Sequence, residues 1–388
     1  MKLTLAAILT ALTAATGVVG APSTPPAKTC EDLQIPIKIS AMTKIFPVAP
    51  VTDNLLAAAL VLNFTRSDAF AWNYTALPDH RVDKTFYISA RYCIPTAVGE
   101  RKDILQIMTH GIGCEKSYWD WPEEPSKYSY VDAAIQRGYS TFIYDRITTG
   151  GSSKPDAYLE VQVSVELAIL KSLTEHLRAG VLPGGGSKLL TAPGRVVHVG
   201  HSLGSILTNV LVATWPALSD GVILTGFAHS FTLSEFVAAQ LAFSSQLARL
   251  ASPRRFAALG DGYLAWPSAT QFQLVFFDYP NFDPKVLLDG EARKSAFTVG
   301  ELLSLTTVAL SAPKFTGYVQ VLTGNRDLVF CGGHCNATAV EAAGRLAFPN
   351  AGGYDAYVIP EMGHALNLHL NAVDVYDLIL EGLEKGGL

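Results

Sequence analysis

The chain has 388 residues, of which 49% are hydrophobic and only 16% charged, so it can bury a large core and lacks the composition of a disordered protein. Its 34 acidic and 29 basic residues give a net charge of −5 with no basic run, so no nucleic-acid partner is expected.

The mean hydropathy of +0.25 raises the question of a membrane, and only the N-terminus answers to it. Lys2 precedes an apolar stretch from Leu3 to Leu12, and small residues follow up to Ala21. A charged start, a short apolar middle and a small-residue end predict a secretory signal over residues 1–20. The stretch is shorter than the roughly 20 residues of a membrane span, so no stable membrane insertion is expected and the localisation read is extracellular. Residues 21–26 read as a linker. Secretion permits disulfides among Cys30, Cys93, Cys114, Cys331 and Cys335, and two bridges with one free thiol is the simplest count. Cys331 and Cys335 flank Gly-Gly-His, flexible enough to close a small loop, and Cys30 with Cys93 would tie down the N-terminal arm. No second ligand pair accompanies His334, so no metal is expected, and nothing calls for a cofactor. Asn63, Asn73 and Asn336 begin glycosylation sequons.

Residues 34–40 and 85–92 alternate like edge strands, with a short helix predicted over 53–62 between them. A regular pattern follows: strands at 104–109, 140–144, 196–199, 222–225, 318–322 and 357–359, with helices at 131–136, 161–177, 202–214, 337–346 and 365–380. Alternating apolar strands and helices predict an α/β fold, its mostly parallel central sheet covered by helices on both faces. From about His229 to Pro313 the alternation stops and aromatic residues accumulate, which predicts an inserted helical lid over 229–313 between core segments 21–228 and 314–388.

The sharpest signal is Gly200-His201-Ser202-Leu203-Gly204, between a β-branched strand and a helix. Such a tight turn leaves room only for glycine at its flanks, and it lifts the Ser202 hydroxyl above the sheet as a nucleophile. A serine needs a base, and His364 follows the last predicted strand, opening the last helix; His369, inside that helix, is its rival. Asp327 follows the preceding strand and can orient His364. The oxyanion donors expected are the amide of Leu203 and, from the loop His110-Gly111-Ile112-Gly113, that of Ile112, with Gly113 in reserve.

Thr109-His110-Gly111, Asp145-Arg146 with Gly150-Gly151-Ser152, Gly200 to Gly204, Gly324 to Asp327 and Gly363-His364 together resemble the serine α/β-hydrolase superfamily, specifically its secreted fungal lid-bearing branch. The departure is at Asp145-Arg146-Ile-Thr-Thr-Gly150, where the common pattern has glycine directly after Asp-Arg. The resemblance implies the fold and a hydrolytic activity. An apolar acyl, aryl or lactone ester fits the aromatic lid; a peptidase, thioesterase or C–C bond hydrolase or lyase would use the same triad. The expected partner is a small apolar or amphiphilic ester.

Overall fold

The computed structural model describes residues 27–65, 74–96, 99–232 and 245–388. The predicted signal segment and Asn73 lie outside the described residues. An eight-stranded sheet has the order β1 (Lys28–Lys44), β2 (Asp79–Pro95), β4 (Ser140–Tyr144), β3 (Ile104–Thr109), β5 (Arg195–His201), β6 (Gly221–Thr225), β10 (Tyr318–Gly324), β11 (Gly353–Ile359). β3, β4, β6 and β10 are buried at every position, and β5 at all but its first. Strands without an exposed face need cover on both sides, which is why they read as apolar runs and pair in parallel. Helices Val163–Arg178 and Leu203–Thr214 pack as one pair, and helices Tyr130–Gln136 and Ala372–Lys385 as another.

β1 and β2 form an antiparallel arm of 17 paired residues, far longer than the two predicted edge strands. Many of its positions are exposed, so apolar alternation marks only its middle. Cys30 lies directly opposite Cys93 and is bridged to it, and Cys331 is bridged to Cys335. Breaking the first bridge (Cys30→Ser with Cys93→Ser) opens a 63-residue separation and is expected to cost up to about 4 kcal/mol, measured as a lower denaturation midpoint.

Among the described residues, the segment inserted after β6 contains helices Ala269–Phe276, Pro284–Arg293 and Val299–Ser304. It also holds a small antiparallel sheet of β7 (Gln246–Leu247), β8 (Tyr263–Ala265) and β9 (Phe297–Thr298), whose strands are too short to show a period in sequence. The last helix begins at Ala372, seven residues after the predicted Ala365. The intervening residues are engaged elsewhere: the Leu370 amide donates to the Asn281 carbonyl at 3.0 Å, and the Asn367 side-chain amide donates to the Tyr118 carbonyl at 3.2 Å.

Parallel pairing aligns the carboxyl ends of the central strands. Thr109 pairs with Gly200, His201 with Thr225 and Gly324 with Ile359. The loops that follow therefore meet above one edge of the sheet, where an open α/β fold collects its functional groups.

Candidate active site

Ser202 sits between β5 and helix Leu203–Thr214 with φ 55° and ψ −118°, a backbone conformation that costs a non-glycine residue roughly 1–3 kcal/mol. Its amide donates to the Thr225 carbonyl at 2.9 Å, and the Ser205 hydroxyl donates to the same oxygen at 2.8 Å. The flanking glycines are required by space. A Cβ on Gly200 would fall 2.5 Å from the Gly204 carbonyl, and one on Gly204 would fall 2.0 Å from the Thr109 carbonyl. The turn is thus held from both sides, with Ser202 itself 8% exposed.

Asp327 and His364 are both buried, and their side chains meet at 2.8 Å through His364 Nδ1 and Asp327 Oδ2. Asp327 is fully engaged. Its Oδ2 also accepts from the Thr323 hydroxyl, and its Oδ1 accepts from the amides of Val329 and Phe330. Burial pushes this carboxyl up, but the charge and hydrogen bond of His364, with the Phe330 and Thr323 donors, hold it below the ordinary carboxylate value. Asp327 is thus a fixed anion, and His364 donates to it from Nδ1, leaving Nε2 as the basic nitrogen. The rings of Phe276 and Phe330 lie 5.6 and 5.8 Å from the imidazole of His364. The His364 ring is 4.9 Å from that of His201, the residue next to Ser202. The structure makes the Asp327–His364 contact and no Ser202–His364 hydrogen bond; in unliganded sites such contacts are often long and tighten with substrate.

Among the described residues the amides of Leu203 and Ile112 have no hydrogen-bond acceptor, so both are free to bind a developing oxyanion. The Ile112 amide is oriented through its own peptide bond. The Gly111 carbonyl, at the other end of that peptide, accepts from His110 Nδ1 at 2.8 Å and from Arg146 Nη2 at 3.3 Å. In a trans peptide this turns the Ile112 N–H the opposite way. His110 Nε2 accepts from the Arg146 amide at 3.1 Å, which places its proton on Nδ1. Burial, then the Arg146 charge, lowers His110 to about 3, so it stays neutral. The unusual Asp145–Gly150 loop closes around this histidine, with Thr149 Oγ1 3.2 Å from Nε2. Glycine is needed at 150, where φ is 44° and a Cβ would fall 2.2 Å from the Asp145 carboxylate; Thr148 takes φ 82°.

Arg146 received no role from the sequence. It is buried between two carboxylates, with Nη1 2.7 Å from Glu166 and 2.5 Å from Glu301. Glu301 belongs to the insert's last helix, so one guanidinium joins the Gly111–Ile112 loop, the core and the insert. A signal was present for Glu166: it interrupts the apolar stripe Val163, Leu170, Leu173 and Leu177 of its helix. Burial raises the Glu166 carboxyl to about 8, with Arg146 opposing and Glu301 adding to the rise. A carboxyl raised in the folded state stabilises below its unfolded value and loses that contribution as pH rises through the folded one. Glu166→Gln, neutral throughout, is therefore expected to gain melting temperature relative to the parent as pH rises from roughly 5 to 8.

The other histidines near the elbow are structural. His201 stacks on Tyr118 at 4.3 Å, and burial, then the neighbouring His364, holds it well below the ordinary value. His198 lies between Thr174 and Ser219 hydroxyls at 2.9 and 2.8 Å. Cys114 is the free thiol, pushed up to about 12 chiefly by burial. Asn63 and Asn336 are exposed; the Asn336 side-chain oxygen caps its helix through the Ala339 amide, leaving Nδ2 available.

A mostly parallel sheet with a serine elbow and a buried histidine–carboxylate pair at its carboxyl edge is the architecture of a hydrolase of the α/β class. Residues 106–378 match the Alpha/beta hydrolase family, and the chain belongs to that family. Among solved structures it is similar to a thermophilic esterase from Thermogutta terrifontis (TM-score 0.53, 16% identity, 78% of this chain and 94% of that one). It is also similar to a structure from a study of carboxylesterases of the thaumarchaeon Nitrososphaera gargenis (TM-score 0.51, 15% identity, 77% and 96%). Comparison with curated proteins finds no match. Among the described residues no helix is long and apolar enough to cross a membrane.

Proposed function

We propose that the protein is a secreted serine hydrolase that cleaves carboxylic esters through an acyl-enzyme on Ser202. Ser202 Oγ attacks the carbonyl while His364 Nε2 takes its proton. The oxyanion is received by the amides of Leu203 and Ile112. His364 returns the proton to the departing alcohol, and water resolves the ester by the same path. Asp327 holds the tautomer that makes Nε2 the base. The observation that carries this reading is the Asp327–His364 pair beside a strained elbow, with the amides of Leu203 and of Ile112 in the loop after β3 unengaged among the described residues.

Phe276 and Phe330 against His364, with Trp266 edge-on and Phe272 tilted against Phe276 behind, support an apolar acyl, aryl or lactone substrate. Residues 229–313 act as the lid in this reading, between core segments 21–228 and 314–388. Two disulfides, the exposed sequons at Asn63 and Asn336 and the signal-like N-terminus support secretion, in keeping with the fungal lid-bearing branch the motifs resemble. Rapid mixing with short, long, aromatic and lactone esters, beside an aminoacyl amide, tests the reading. It expects an alcohol burst equal to the enzyme concentration with an apolar ester and none with the amide. Turnover of the amide alone contradicts it.

A further inference from the structure

His369 looked in sequence like a second candidate base, and the structure gives its nitrogens other work. Its Nε2 accepts two backbone N–H groups, from Gly363 at 3.0 Å and from Asp278 at 3.1 Å. Its Nδ1 donates to the Ala365 carbonyl at 2.8 Å. Gly363 and Ala365 are the neighbours of His364 on either side, and Asp278 belongs to the insert. We propose that His369 is a positioning residue, a clasp that fixes the backbone on both sides of His364 and fastens it to insert segment Phe276–Asp278, so that the base is aligned only while the insert is seated.

Independent contacts run the same way. The Ala365 amide donates to the Phe276 carbonyl at 2.9 Å, and Leu370 to that of Asn281 at 3.0 Å. Gly363 touches the insert so closely that a Cβ there would fall 2.8 Å from the Phe277 carbonyl carbon. The Phe277 ring lies 5.5 Å from the His369 ring. Two N–H groups converge on Nε2, so that nitrogen must present its lone pair and cannot serve as a base. A protonated ring would set a third N–H against them. Burial lowers His369 to about 4, and the charged group acting on it is Asp278, which raises it. The Asp278 carboxylate is itself engaged by the Asn281 side chain at 2.9 Å.

The inference rests on His364 being the base, and the test separates the two. His369→Leu, His369→Gln and His364→Ala are compared in the full chain on one apolar ester and in the rate of fluorophosphonate labelling. Glutamine offers one oxygen to both N–H groups and an NH₂ to Ala365. His369→Leu is expected to lower kcat at least about tenfold with KM within about threefold, to slow labelling in parallel, and to be largely rescued by His369→Gln. Full kcat in His369→Leu, or equal damage in both variants, overturns the positioning role. Activity retained in His364→Ala overturns the triad assignment and what rests on it; activity lost there but intact in His369→Leu overturns the clasp alone. Should His369→Leu not fold, nitrogen-15 histidine spectra of the parent protein at pH 6 decide. An Nδ1-protonated, Nε2-bare His369 is expected, and a proton on Nε2 contradicts the clasp.

Discussion

Ser202→Ala is expected to lower kcat for ester hydrolysis about 10⁶-fold while the protein folds normally. In the proposed mechanism Oγ is the atom that forms the acyl-enzyme, and the substitution removes it. The Leu203 and Ile112 amides and the substrate contacts remain, so a residual rate of about 10³–10⁴ over water should persist. Stability should be nearly unchanged, because among the described residues the Ser202 hydroxyl makes no hydrogen bond and its backbone is held through N–H and C=O groups that alanine keeps. Alanine meets the same positive φ that serine does. A large kinetic loss with an unshifted melting temperature distinguishes a nucleophile from a packing residue. Parallel kcat measurement and calorimetry check both halves.

Asp327→Asn is expected to cost about 10⁴-fold in kcat with little change in fold. The Oδ1 position can keep its acceptor role toward the Val329 and Phe330 amides, so the asparagine amide is oriented with its NH₂ in place of Oδ2. That NH₂ then donates toward His364 Nδ1, where the carboxylate accepted from it. The imidazole must move its proton to Nε2 and can no longer take one from Ser202. The Thr323 hydroxyl, which donates to Oδ2, can turn to accept from the NH₂ instead, so the loop retains its contacts. The variant should regain activity as pH rises, when hydroxide can replace the missing base. A variant with parent-like kcat would show that Asp327 only caps the short helix Leu328–Cys331.

Much of this site is legible in the sequence because its constraints are local. Gly200 and Gly204 are demanded by contacts within a few residues of Ser202 or on the adjacent strand end. Asp327 and His364 each follow a strand that reads as apolar, so their loops fall at the sheet's carboxyl edge. What escapes the sequence depends on distant partners. The carboxylate of Glu301 reaches Arg146 from 155 positions away, and no periodicity marks such a pair. The same holds for the start of the last helix: apolar spacing from Ala365 onward suggests a helix, but Asn367 and Leu370 bind Tyr118 and Asn281 instead. His369 therefore lies in the loop, where its ring reaches the backbone on either side of His364. The β1–β2 arm is longer than it reads, since its exposed positions tolerate any polar side chain.

The central claim is that the hydroxyl at 202 is activated by the imidazole at 364. The most direct measurement is mass spectrometry of the protein after a fluorophosphonate probe at neutral pH, with His364→Ala treated in parallel. One adduct on the peptide containing Ser202 is predicted, slowed by orders of magnitude in the variant. No adduct, an adduct on another residue, or equal labelling in the two proteins would contradict it.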